Sequence, residues 1–327
     1  WQEISPDLSG ADPEKLEGNI EFCLISTISE SHLQAGVIWV GTDDGKVQVT
    51  RNHGGDWTDV TANLAKAGAP AEFYVSRVLS SHHEPGRAYA VKTGFQRDDF
   101  RPFVFRTDDF GQTWTNVSGD LPEGIIYVIA EDHHNPDLLF VGRDFDVRVT
   151  IDGGLKWVSM QNNIPTNSVH DMLIHPRDND LVVGTHGRGI WVTDITPLQE
   201  MDRDLLAKDM HLFHVEDQIR WDYVYRGTIY GDRQFTVDNE PVGLKINYYL
   251  RNEAAGDVNI IITDVYGGII RELEGTGDAG LNQVIWDLRK ELEEEEEEES
   301  AWRPQRGEWA ETGEYIITLK AGGQTQT

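Results

Sequence analysis

The sequence predicts an all-β chain in two parts, a partial β-propeller of four-stranded blades followed by a β-sandwich. Three observations predict it. An eight-residue phrase closing on tryptophan recurs, as "TRNHGGDW" (Thr50 to Trp57), "TDDFGQTW" (Thr107 to Trp114) and "TIDGGLKW" (Thr150 to Trp157). Three β-branched or aromatic-rich runs precede each phrase and one follows it, giving four strands per repeat, the architecture of a propeller blade. Beyond Pro241 the strand-like runs continue without the phrase.

Each part of the phrase has a mechanical role. Thr50, Thr107 and Thr150 open the turn, and Asn52, Asp109 and Asp152 can accept hydrogen bonds from the backbone of their own turn. Gly54, Gly111 and Gly154 can take positive φ, and Trp57, Trp114 and Trp157 offer large rings to bury between neighbouring repeats. Repetition makes these residues architecture rather than chemistry.

The first strands are expected in "CLISTI", "SRVLSS", "YVIAED" and "HDMLIH", and the second in "GVIWVGT", "RAYAVKT", "LLFVGRD" and "DLVVGTH". Third strands follow as "KVQVTRN", "PFVFRTD", "VRVTID" and "GIWVTD". The strand after each tryptophan runs into a polar loop, as in "WTDVTANL" and "WTNVSGDL". The chain opens on the same phrase, "WQEISPDL", so Trp1 reads as the end of a turn that starts upstream. The expectation is a longer polypeptide, whose upstream part completes the propeller. The fourth repeat stops after three strands and needs a fourth from elsewhere.

Composition bounds the function. The 327 residues carry 57 acidic against 28 basic side chains, a formal charge of -29. Such a balance repels nucleic acid, which is therefore not an expected partner. Glu291 to Glu299 include eight of the acids, yet the other 49 still outnumber the bases, so acidity is spread along the chain. The run itself reads as a solvated loop between strands. No apolar run is long enough to span a bilayer as a helix. The single cysteine, Cys23, excludes an intrachain disulfide and reads as a buried small hydrophobe.

The tryptophan turns resemble the Asp boxes of sialidase-type propellers. The run to about residue 195 resembles the sortilin or Vps10-type propellers of secreted bacterial proteins, the group often labelled BNR-repeat glycosyl hydrolases. The resemblance rests on "SPDLSGADPEKLEGNI", "GVIWVGTDDGKVQVTR" and "HDMLIHPRDNDLVVGTHGRGIWVTDITPLQE". It implies blades upstream of Trp1, a secreted, periplasmic or cell-surface location, and ligand binding, since sortilin-like relatives bind peptides. Residues 1–195 are thus expected to be propeller blades. Residues 196–240 are expected to be a linker with a short helix over Leu198, Met201 and Leu205. From 241 to 327, "GLKINYYL", "DVNIIITDVYG", "GLNQVIWDLR" and "GEYIITLKAGG" resemble an immunoglobulin-like sandwich of the flagellar-hook-cap type, with the last strand cut short in "GGQTQT".

In a four-stranded blade, the loops between second and third strands share an end of the propeller with the starts of the innermost strands. This sorting gathers one charged face: Asp43, Asp44, Arg97, Asp98, Asp99, Arg101, Arg143, Asp144, Asp146, His186 and Arg188, with Thr27, Arg77, Tyr127, His170 and Asp171 from the strand starts. Three readings compete for it. In the first, these groups satisfy one another and hold the loops. In the second, Arg77, Arg97, Arg143 and Arg188 offer forked donors to a carboxylate of a peptide, protein or glycan ligand, beside a stacking face on Tyr127 and with His170 and His186 close by. In the third, paired carboxylates among Asp43, Asp44, Asp98, Asp144 and Asp171 hydrolyse a glycoside, as in sialidase- or xyloglucanase-like propellers. A homo-oligomer or larger extracellular assembly is a further reading.

His82 and His83 in "SSHHEPG" and His133 and His134 in "EDHHNPD" occupy equivalent loops. They read as a repeated turn rather than a metal site. No metal or organic cofactor is expected, with a structural calcium in an Asp-rich turn left open.

Overall fold

The computed structural model describes residues 2–12, 22–160, 163–220, 241–292 and 307–327. Trp1 and the glutamate run from Glu293 onward lie outside the described residues. The chain divides into two compact units, Trp1–Asp202 and Arg203–Thr327.

The first unit holds four antiparallel sheets, each pairing in sequence order. The first contains β1 (Ile25–Glu30), β2 (Ile38–Thr42), β3 (Val47–Thr50) and β4 (Trp57–Asp59). The second contains β5 (Tyr74–Ser80), β6 (Ala88–Gly94), β7 (Asp99–Thr107) and β8 (Thr115–Asn116), and the third β9 (Ile126–Glu131), β10 (Leu139–Arg143), β11 (Val147–Thr150) and β12 (Val158–Ser159). The fourth has three strands among the described residues, β13 (Val169–Ile174), β14 (Asp180–Thr185) and β15 (Ile190–Asp194). The opening strands β1, β5, β9 and β13 lie side by side. These are four blades of a β-propeller.

Apolar layers between successive blades hold the row together. Trp39, Tyr89 and Phe140 occupy one register position on β2, β6 and β10, and each is fully buried in a different interblade core. Burial of rings of this size is the main stabilising contribution at each junction.

The tryptophan turns brace the outer ends of the blades. Gly54, Gly111 and Gly154 have φ of 88°, 82° and 95° and donate their N–H groups to the hydroxyls of Thr50, Thr107 and Thr150 at 3.0, 2.9 and 3.1 Å. The carboxamide or carboxylate of Asn52, Asp109 and Asp152 accepts the N–H just before each tryptophan. A Cβ on each glycine would strike the tail of the preceding segment: Ile4 at Gly54, Val60 at Gly111 and Val117 at Gly154. The Trp57 indole donates to the Ile4 carbonyl and the Trp157 indole to the Val117 carbonyl. Residues 2–8 therefore stand to the first blade as the tail of one blade stands to the next.

Two local features differ from the sequence expectation. The loop after β4 contains a helix, α1 (Thr61–Lys66), whose Leu64 is buried in the first interblade core. Cys23 is only partly buried, with φ of 70° just before β1.

In the second unit a three-stranded sheet, β16 (Met210–Leu212), β17 (Leu244–Leu250) and β20 (Gly280–Trp286), shares a core with a four-stranded one. The latter contains β18 (Val258–Asp264), β19 (Ile269–Gly275), β21 (Tyr315–Ala321) and β22 (Gln324–Gln326), and the core includes Ile246, Tyr248, Ile260, Ile262, Trp286 and Leu319. This is a β-sandwich. It starts earlier than its sequence shows, because Met210–Leu212, inside the expected 196–240 linker, pairs with Leu250–Tyr248 of β17. The expected single linker helix is two short ones, α2 (Thr196–Glu200) and α3 (Arg203–Leu206), with extended backbone at Met201 between them. The closing "GGQTQT" forms the β21–β22 hairpin, with Ala321 paired to Gln324.

Candidate functional site

Each opening strand carries a β-bulge near its start. Ile25 and Thr27 pair with adjacent residues of β2, which leaves Ser26 as the extra residue, and the same shift isolates Ser76, Tyr127 and His170. A bulge adds one residue and re-aims the side chain there. In the first two blades it carries a bolt: the Ser26 hydroxyl donates to the Val75 carbonyl at 2.7 Å and the Ser76 hydroxyl to the Ile126 carbonyl at 3.0 Å, each reaching the next blade.

The third and fourth blades break that pattern. Tyr127 and His170 occupy the bulges, and their rings stack at 4.3 Å between centroids with planes 16° apart. His186, from the loop between β14 and β15, lies 5.3 Å beyond His170 at 34°. Burial pushes the Tyr127 phenol up, with the Asp144 charge in the same direction and a bond to Ser168 opposing. Burial and then the neighbouring His186 push the His170 imidazole down, which favours its neutral form at pH 7. Beside the stack, Arg77 on β5 pairs with Asp171 on β13, Nη2 to Oδ1 at 2.5 Å.

The other anticipated residues are engaged in holding the loops. Asp43 accepts from the Leu24 N–H at 2.8 Å. Asp44 is buried, with its two oxygens taken by the Thr42 hydroxyl and the Gly10 N–H. Arg97 pairs with Glu72 on the exposed surface, and Asp98 makes a left-handed turn after a short 3-10 segment, Phe95–Arg97. Asp99 and Arg101 pair with each other on β7, which extends into what reads in sequence as a loop. Asp144 holds its loop through its N–H, which donates to the Ile125 carbonyl. Arg188 is exposed, and its carbonyl accepts the Trp191 indole.

Arg143 differs from its expected role as a ligand donor. It is 4% exposed, with Nη1 on Asp146 at 2.9 Å and Nη2 on the carbonyls of Pro122 and Glu123. Its register equivalent in the second blade is Lys92, also buried, whose Nζ donates to the carbonyls of Gly45, Pro70 and Ala71 at 3.0, 2.8 and 2.9 Å. Both cations clamp the segment that enters their own blade. Burial pushes the Lys92 ammonium down to about 7.

At the opposite ends of the strands a second set of imidazoles crosses three blades. His32 stacks on His82 at 4.9 Å, and His82 meets His133 edge-on at 4.2 Å. His83 and His133 are hydrogen-bonded through Nε2 to the carbonyls of Asp132 and Ile174. Among the described residues no three His, Cys, Asp or Glu side chains converge as metal ligands. A cleft of about 1080 Å³ in the second unit is lined by core residues such as Phe213, Trp286, Leu288 and Ile317.

No family model and no curated protein matches the sequence. Among solved structures the chain is similar to a GH74 xyloglucanase from Xanthomonas campestris, with 15% identity and a TM-score of 0.43 over 59% of this chain and 31% of that one. It is similar to a GH74 enzyme from Niastella koreensis at 13% identity and 0.39, covering 50% and 26% of the two chains. It is also similar to YCF48 bound to a D1 peptide, at 16% and 0.36, covering 49% and 47%. The chain thus spans a third or less of the two GH74 chains and under half of YCF48.

Proposed function

We propose that the first unit is a binding module of a secreted or cell-surface protein, which takes a peptide, protein or glycan ligand at the Tyr127–His170–His186 stack. The observation that carries this reading is the exchange of a blade-bolting serine, at Ser26 and Ser76, for a stacked ring at the same bulge in the third and fourth blades. Two adjacent blades give this scaffold position to stacked rings instead of serine, and Tyr127 still reaches the next blade through its bond to Ser168. The rings offer a flat apolar surface to a sugar ring or an aromatic side chain, and the exposed Arg188 guanidinium can take a carboxylate.

Binding fits the site better than hydrolysis. A glycosidase needs one carboxyl held above its usual range. Among the described residues, the carboxyls that are displaced, including Asp59, Asp99 and Asp109, lie below it. Asp43 and Asp44 are hydrogen-bonded into the loop scaffold.

The test is a peptide and glycan array, followed by calorimetry on the best ligand. Tyr127→Ala and His170→Ala are expected to weaken binding about tenfold each, the equivalent of one lost aromatic contact. Hydrolysis of a polysaccharide that disappears on Asp43→Asn or Asp144→Asn would overturn the reading.

A further inference from the structure

On the loop face of the second and third blades three phenylalanines are left open to solvent. Phe95 and Phe100 flank the β6–β7 connection and Phe145 sits in the β10–β11 loop, and they are 41%, 44% and 61% exposed. Each of these blades has a neighbour on both sides, so the exposure does not arise at an end of the row. Single apolar side chains are ordinary on a surface, but these three belong to one continuous strip. The Phe100 carbonyl accepts the Gly124 N–H at 2.7 Å, a Cβ on Gly124 would strike the Asp144 carboxylate, and the Asp144 N–H donates to the Ile125 carbonyl at 3.1 Å. Phe145 follows Asp144 in the chain, and Tyr127 lies two residues beyond Ile125. The strip therefore runs from Phe95 to the ring stack.

The charges along the strip do not balance. Arg97 is paired with Glu72, Arg101 with Asp99, Arg143 with Asp146 and Arg77 with Asp171. Asp98, Glu123 and Asp144 have no ion pair among the described residues. Glu123 is close enough to attract Arg101, but Asp99 already holds that guanidinium through Nε and Nη2. Arg188, at the far end of the strip, is the matching unpaired cation, so carboxylates are left in excess.

We propose, on the reading of the first unit as a binding module, that its partner is a basic peptide segment laid along Phe95, Phe100 and Phe145 toward the Tyr127–His170–His186 stack. Lysine or arginine side chains find ring faces for cation–π contact, and Asp98, Glu123 and Asp144 take their charge. Arg188 is left for a carboxylate of the same peptide. A neutral sugar could lie on the rings but gains nothing from the carboxylates, and an acidic glycan is repelled by them. A second copy of this chain, at -29, has the wrong sign. The same net charge draws a basic segment in from a distance.

The experiment is a fluorescence anisotropy titration of the whole chain with a labelled lysine–serine repeat peptide, its glutamate–serine counterpart and a neutral xyloglucan oligosaccharide. The lysine peptide is expected to bind best, and more weakly as salt is added. Phe145→Ala keeps every charge and is expected to weaken it about two- to fivefold. Glu123→Gln should weaken it at low salt, whereas Glu274→Gln, which removes an exposed charge in the second unit, should leave it unchanged. Equal binding of the glutamate peptide or the oligosaccharide, or lysine-peptide binding that Phe145→Ala leaves intact, would defeat the proposal. Tyr127→Ala separates it from the reading it rests on. If that change abolishes binding of an acidic or neutral ligand, the stack stands as a site and only the basic partner falls; if it affects no ligand, both fall.

Discussion

Arg77 and Asp171 meet at 2.5 Å although a whole blade separates their strands. Arg77 is on β5 and Asp171 on β13, and the third blade, with Val128 at the matching position, lies between them. Both side chains are partly exposed, so solvent weakens the pair. A double-mutant cycle with Arg77→Gln and Asp171→Asn is expected to give a coupling of about 0.2–1 kcal/mol that shrinks with added salt. A larger coupling in urea unfolding would assign the pair a structural weight that its exposure does not support.

The His170 imidazole is expected to titrate below its ordinary range. His170 is held neutral by burial and by His186. Nuclear magnetic resonance should place its midpoint below the usual 6.5, and His186→Ala should move that midpoint up without restoring it fully, because burial remains.

Acid should loosen the blades from the opposite end. Burial, with His133, His32 and His83 nearby, pushes His82 down to about 4, and Asp132 opposes weakly. The unfolded chain takes up this proton near 6.5, before the folded one, so stability present above pH 6.5 is lost as pH falls toward 4. Discounted for the half exposure of the ring, the loss is about 1–2 kcal/mol. Urea unfolding at the two ends of this window should show it, and His82→Asn should remove most of the difference.

Lys92→Met leaves three carbonyls without their donor and is expected to cost about 1–3 kcal/mol. The folded ammonium titrates near 7 and the unfolded one near 10.5, so between these values the unfolded chain binds more protons and wild-type stability rises with pH. The cost of Lys92→Met should therefore be larger at pH 9 than at pH 6. Chemical denaturation at both pH values measures it.

Trp157 is 4% exposed and hydrogen-bonded to Val117, whereas Trp57 is only partly buried. Trp157→Ala is expected to cost about 3–5 kcal/mol. Trp57→Ala should cost clearly less, and equal losses in urea unfolding would contradict the packing described for the two junctions.

The blades were legible in sequence because their signal is repeated: three tryptophan turns and four sets of β-branched runs fix strand order without knowledge of any contact. Features set by one residue against the pattern were harder to read. Spacing alone does not reveal a bulge, so the shift that separates His170 from Asp171 and turns it onto Tyr127 emerges only with the pairing. A column of the aligned repeats, Ser26, Ser76, Tyr127 and His170, contains the clue, as does the column of Lys92 and Arg143. Loop carboxylates such as Asp43 and Asp44 mislead for the opposite reason. Their composition suggests chemistry, but the Leu24 and Gly10 N–H groups and the Thr42 hydroxyl, whose approach no sequence displays, hold them in the scaffold. β16 escaped notice because three residues, Met210–Leu212, are too few to show alternation.

The bulge repeated at the head of each inner strand has a practical meaning for redesign. It is a socket of constant shape whose occupant changes while the walls stay the same. Ser26 and Ser76 fill two such sockets with a fastener, and Tyr127 and His170 fill two with stacked rings. Rings grafted at Ser26 or Ser76 would extend the row of stacked rings blade by blade, at the cost of one interblade fastener each, leaving the β-ladder untouched.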